Sequence, residues 1–207
     1  MELASLVDRG GPIVVILIGL SVLSLAIILM KIFQFWSAGL SRRAFVDDAL
    51  ARVAAGDKEG ALGVLRKHRS PISRIMIAGI TAKARGDLRD EDVSEEISRA
   101  GALEIGSLQS YFRWLEIIGN LSPLLGLLGT VIGMIDAFQQ LEAAGNKVDP
   151  AILSGGIWEA LLTTAVGLAV AIPAIAALNL FENKVDQVRL SMRDAAARLI
   201  AALHAKA

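Results

Sequence analysis

The chain has 207 residues, 54% of them hydrophobic, a mean hydropathy of +0.56 and a formal net charge of zero. That neutrality argues against nucleic acid as a partner, and without cysteine there is neither a disulfide framework nor a thiolate metal site. His68 and His204 stand alone in charged segments, where solvated positions outweigh metal ligation, and neither GxGxxG nor GxxxxGK[ST] occurs, so no enzyme activity or cofactor is expected.

Residues 1–12 precede the first uncharged run, Ile13–Met30, of 18 residues. A span needs about 20 residues to cross a hydrocarbon core of about 30 Å. Lys31 closes the run, and Phe33, Phe35 and Trp36 suit the membrane interface, giving transmembrane helix one over 13–36. A signal peptide fits poorly: the leading MELASLVDRGG is not basic, and no small-residue cleavage site follows the apolar stretch.

Segment 37–113 reads as helical. Phe45, Ala49, Leu50, Val53 and Ala54 fall at helical spacing up to a turn at Gly56-Asp57. Ala61, Leu62 and Leu65 make a short second helix closed by Ser70-Pro71, and Ile72, Ile75, Met76, Gly79 and Ile80 continue to Gly86-Asp87. The acidic start DEDVSEE from Asp90 complements a helix N-terminus. No proline stands between Pro71 and Pro123, so this helix is expected to run unbroken into span two.

Ile117–Ile135 offers 19 residues without a charge, bracketed by Glu116 and Asp136, and sets span two at 114–138. After a loop over 139–154, Ala160–Phe181 gives 22 uncharged residues and span three at 155–181. Val185, Val188, Leu190, Met192, Leu199 and Ile200 carry that helix on as an amphipathic tail over 182–207. The fold class is therefore an all-α membrane protein of three spans, the second and third extended as long helices.

Orientation follows from Lys and Arg. Segment 37–113 holds 13 and the tail five, against one each before span one (Arg9) and in the 139–154 loop (Lys147). The positive-inside rule puts the N-terminus and that loop outside, and the 37–113 segment and C-terminus in the cytoplasm. Arg42, Arg43 and Arg113, close to span ends, agree.

Two faces stand out. In span two Gly119, Pro123, Gly126, Thr130, Gly133 and Ala137 recur at steps of four and three, a small-residue stripe that lets a second helix approach closely. Packing explains the glycines fully, and Thr130 as well if it bonds its own backbone. In span three, at about 100° per residue, Thr163, Gly167, Ala171, Ala174 and Thr164 share one arc with Glu159 at its edge. A carboxylate near lipid depth costs on the order of 3 kcal/mol at a helix centre and less towards the end, so it belongs to a bundle interior or wet path unless it snorkels outwards.

The segments GLLGTVIGMIDAF and EALLTTAVGLAVAIPAIAALNLFENKVD resemble the signature of the MotA/TolQ/ExbB proton-channel family, in its ExbB/TolQ branch. The likeness is best over 112–190, and 1–36 agrees in topology only. It implies a stator subunit of the bacterial inner membrane, with the N-terminus and the 139–154 loop periplasmic and 37–113 and 182–207 cytoplasmic. It implies a homo-oligomer, a pentamer, whose spans two and three line a pore. It implies a single-span partner of ExbD or TolR type bearing a transmembrane aspartate, and a further TonB- or TolA-type protein. Family pore threonines map onto Thr130 and Thr164, the span-three glutamate onto Glu159 and the proline onto Pro173. Thr163, where relatives carry a small residue, leaves open which hydroxyl faces the pore. No ionisable residue stands mid-span, so the titrating group is Glu159, a partner's acid, or both. Two other readings remain: a non-conducting scaffold whose small stripes only pack helices, and a solute transporter, weakly supported without an inverted repeat.

Overall fold

The structure, a computed structural model, describes residues 3–39, 44–85, 89–144 and 150–204. Arg42, Arg43, Gly86-Asp87 and Lys147 lie outside the described residues. The described residues form helices α1 (Leu3–Ser37), α2 (Ala44–Ala55), α3 (Lys58–Arg66), α4 (Pro71–Ala84), α5 (Asp90–Gln109), α6 (Phe112–Ala144) and α7 (Pro150–His204), with no strand among them. Three stretches are long and apolar enough to cross a membrane: Gly11–Ser37, Asp90–Ala143 and Leu153–His204. The protein is an all-α membrane protein with three spans.

The chain divides into two compact units, Met1–Leu29 with Tyr111–Leu180 and Met30–Ser110 with Phe181–Ala207. In the first unit α1 is interrupted at Gly11, whose φ of 61° and ψ of −166° only glycine adopts readily. Pro12 then sits at a helix start, where its missing N–H costs nothing. Beyond it, Ile13 and Leu17 of α1 pack with Ile118 of α6 and with Val170 and Ala174 of α7.

In the second unit α2 packs on α3, α3 on α4 and α4 on α5. The Asp57 side chain caps α3, accepting from the Gly60 N–H at 2.8 Å. Ser70 begins α4 rather than closing α3: its hydroxyl accepts from the Ser73 N–H at 3.2 Å, with Pro71 at the first helical position. At the start of α5 the Lys83 ammonium, with His204 adding to it, holds the Asp90 carboxyl below the usual range. The Arg89 backbone N–H does the same for Asp92. Phe181, Val185, Val188, Met192, Ala195 and Leu199 form the buried stripe of α7 in this unit, at alternating steps of four and three. Leu190, expected on that stripe, is 64% exposed.

The long helix expected from Asp90 into span two is broken. α5 ends at Gln109, Ser110 turns out of the helix with ψ 141°, and Tyr111 takes a left-handed φ of 67° before α6 begins. A helix end exposes carbonyls without intrahelical partners. Lys31, fully buried, supplies one: its ammonium donates to the Leu108 carbonyl at 3.0 Å, to Ser110 Oγ at 3.0 Å and to Gln34 Oε1 at 2.8 Å.

Candidate functional site

The small residues of α6 and α7 determine how close the two helices come. A Cβ added to Gly167 would lie 2.6 Å from the Ser122 carbonyl oxygen and 3.1 Å from Gly126 Cα. One added to Gly126 would lie 3.0 Å from both the Thr163 oxygen and Thr164 Cα. The backbones therefore touch at Gly126 and Gly167, and any side chain at either position would separate them. Gly119 packs under Ile175 and Gly133 under Ala160. Pro123 is half-buried, off the centre of the contact.

Sequence reasoning missed Ser122, Gly129 and Gly156. The Thr163 side chain fills the space over Gly129, and Gly156 meets Ala137. Ser122 is fully buried and donates its hydroxyl to the Ile118 carbonyl at 2.7 Å. The stripe thus runs Gly119, Ser122, Gly126, Gly129, Gly133, Ala137, again at steps of three and four. Pro123 and Thr130 fit the same periodicity as Ser122 and Gly129, so spacing alone leaves the stripe's centre undetermined by one residue.

Three threonines bear on the crossing. Thr163, 2% exposed, donates to the Ala160 carbonyl at 2.7 Å and lies 3.3 Å from the Gly126 carbonyl. Thr164 is half-buried and donates across the helices to the same Gly126 oxygen at 3.1 Å. Thr130, also half-buried, donates to the Leu127 carbonyl of its own helix at 2.7 Å. A hydroxyl that has spent its proton on a carbonyl still has lone pairs for a water or a protonated carboxyl. On Thr130 and Thr164 those lone pairs belong to side chains that are partly open; on Thr163 they are sealed in the contact.

Glu159 stands one turn before Thr163 on α7 and is half-buried. It lies beside the break in α1: a Cβ added to Gly11 would be 3.9 Å from Glu159 Oε1. Pro173, two and a half turns beyond Thr164, is on the exposed side of α7, with Ala171 and Ala174 buried to either side. No lysine, arginine, aspartate or glutamate lies between Ile117 and Ile135 or between Ala160 and Phe181.

The sequence pattern of the MotA/TolQ/ExbB proton channel family matches residues 67–194, which include α6 and most of α7. An ExbB-like 3 biopolymer transport protein of Synechocystis sp. is 30% identical over 177 residues, covering 84% of this chain and 82% of that protein. The Tol-Pal system protein TolQ of Haemophilus influenzae is 30% identical over 184 residues, covering 85% and 80%. The biopolymer transport protein exbB1 of Vibrio cholerae is 44% identical over 78 residues, 38% of this chain and 34% of that longer protein.

Proposed function

Since the chain belongs to the MotA/TolQ/ExbB proton channel family, we propose that it is the channel-forming stator subunit of an inner-membrane complex that couples the proton motive force to work on the cell envelope. The N-terminus and the loop after span two are periplasmic, and the C-terminus cytoplasmic. Copies of the chain assemble as a pentamer around a single-span partner of ExbD or TolR type, whose transmembrane aspartate carries the proton. A TonB- or TolA-type protein receives the work, and its identity decides between outer-membrane uptake and envelope maintenance.

The observation that supports this most is the pairing of Thr164 with the Gly126 carbonyl at the tightest point of the α6–α7 contact. It holds a partly open hydroxyl at a fixed place in a helix pair that itself carries no mid-span charge. Such a hydroxyl cannot titrate, but it can orient water or bond a neighbour's carboxyl as that group gains and loses its proton. Thr130 and Thr164 line the ion path, and Thr163 supports the helix contact from inside it. Glu159 sits at the outer end of the path, whereas Pro173, half a turn round α7 from Thr164, does not share its face.

The scaffold reading draws on one fact: the three threonine hydroxyls all donate to helix carbonyls, as packing threonines do. Proton flux separates the two. Liposomes containing the chain and its partner should acidify under an imposed gradient. Thr164→Ala should slow flux by about tenfold or more, the loss expected from one hydrogen bond to a charged group, while the oligomer survives. Undiminished flux in the Thr130→Ala/Thr164→Ala double variant would leave only packing.

A further inference from the structure

The second unit contains a cavity of about 790 Å³ at the level where spans one and three end. One wall is aromatic: Phe35 and Trp36 follow the apolar run of span one, and Phe35 meets Phe181, the last residue of the span-three run, edge to face at 5.4 Å. The lining is also basic, from Lys67 and Arg69 just after α3 and Lys184 on α7. His68 also lines it, its ring stacked on Phe45 at 4.4 Å.

Among the described residues no carboxylate lines the cavity. Among the described residues Lys67, Arg69 and Lys184 form no ion pair, whereas Asp47 on α2 is engaged by Arg198 and Asp186 on α7 by Arg189. Trp36 is 79% exposed, an unusual degree for an indole in water but an ordinary one at a membrane interface.

We propose that this cavity is a headgroup site for an anionic phospholipid. Its phosphate would lie among Lys67, Arg69 and Lys184, and the upper part of its acyl chains against Trp36 and Phe35. An anion answers the unpaired cations, and an amphiphile answers the union of that basic lining with an interfacial aromatic wall. A soluble phosphate compound would leave the exposed indole of Trp36 uncovered. The inference rests on the three spans alone and stands or falls independently of the ion path.

Tryptophan quenching tests it. In a Trp114→Phe/Trp158→Phe background, Trp36 is the remaining indole. The protein is reconstituted in phosphatidylcholine vesicles with increasing brominated phosphatidylglycerol, or with brominated phosphatidylcholine as the neutral comparison. Brominated phosphatidylglycerol should quench Trp36 at a lower mole fraction than the neutral lipid. Lys67→Gln/Arg69→Gln/Lys184→Gln should erase that preference, each removed charge weakening it by about fivefold. Equal quenching by the two lipids, or a preference unchanged in the triple variant, would overturn the assignment. So would displacement by millimolar inorganic phosphate at constant ionic strength, which would mark a site for the free anion. Lipid retained through purification of the unaltered chain gives a second reading: phosphatidylglycerol should be enriched over its share of the membrane, and lost from the triple variant.

Discussion

Two glycines on α7 separate packing from bystander positions. Gly155 has nothing within 4 Å of an added Cβ, whereas the Cβ of Gly167→Ala would press on the Ser122 carbonyl at 2.6 Å. Alanine is better than glycine in a helix by up to about 1 kcal/mol. Gly155→Ala should therefore leave the thermal midpoint in detergent unchanged or slightly raised. Gly167→Ala must push backbone against backbone, and overpacking of this kind costs about 1–3 kcal/mol, so its midpoint should fall. Glu159 invites a charge series instead. If it serves the ion path, Glu159→Gln should preserve the oligomer but reduce partner-dependent proton flux sharply, and Glu159→Asp should be milder because it still titrates. Near-normal flux in Glu159→Lys would show a side chain that only reaches for headgroup water, and would leave the partner's acid as the carrier.

At the scale of elements, the junction between α5 and α6 depends on two residues. Lys31→Met would keep a chain of similar length but leave the Leu108 carbonyl and Ser110 hydroxyl without their buried donor. Losing hydrogen bonds to a charged group costs about 2 kcal/mol, and a lowered denaturation midpoint should report it. Tyr111 sits at φ 67° and is 52% exposed. Glycine suits that φ best, whereas Tyr111→Val should destabilise by about 1–2 kcal/mol, because a β-branched residue suits that region least. Neither residue signals its role in the sequence. Ser110-Tyr111 contains no proline or glycine, and Lys31 reads as the charged end of a span. The spans, the acidic start of α5, the buried face of α4 and, apart from the exposed Ala54, that of α2 were legible, because they depend on runs and periods within a single element. Those features that require two elements to meet were not: the choice of Ser122 and Gly129 over Pro123 and Thr130, the burial of Thr163 beside an open Thr164, and the capping of one helix by a lysine from another.

At the scale of the whole molecule, the spans bury little of themselves. Leu121, Leu124, Leu128, Ile132 and Ile135 on α6 are exposed, as are Leu161, Leu168 and Ile172 on α7. In lipid such faces need no cover, since acyl chains are as apolar as leucine. On the proposed reading the half-buried hydroxyls of Thr130 and Thr164 face a wet path, which must be closed off from lipid on every side. α6 and α7, in backbone contact at Gly126 and Gly167, leave no room between them for a partner's helix. The proposed path would then lie between copies. Native mass measurement in a gentle detergent should accordingly find a single homo-oligomeric species, a pentamer, that gains mass on adding the single-span partner. Gly167→Ala should lower the yield of that species, because in the proposed ring the α6–α7 pair is the repeated unit, whereas Thr164→Ala should leave the yield intact while flux falls. A monomer as the only species, with the partner present, would remove the channel and leave the three spans as a membrane anchor.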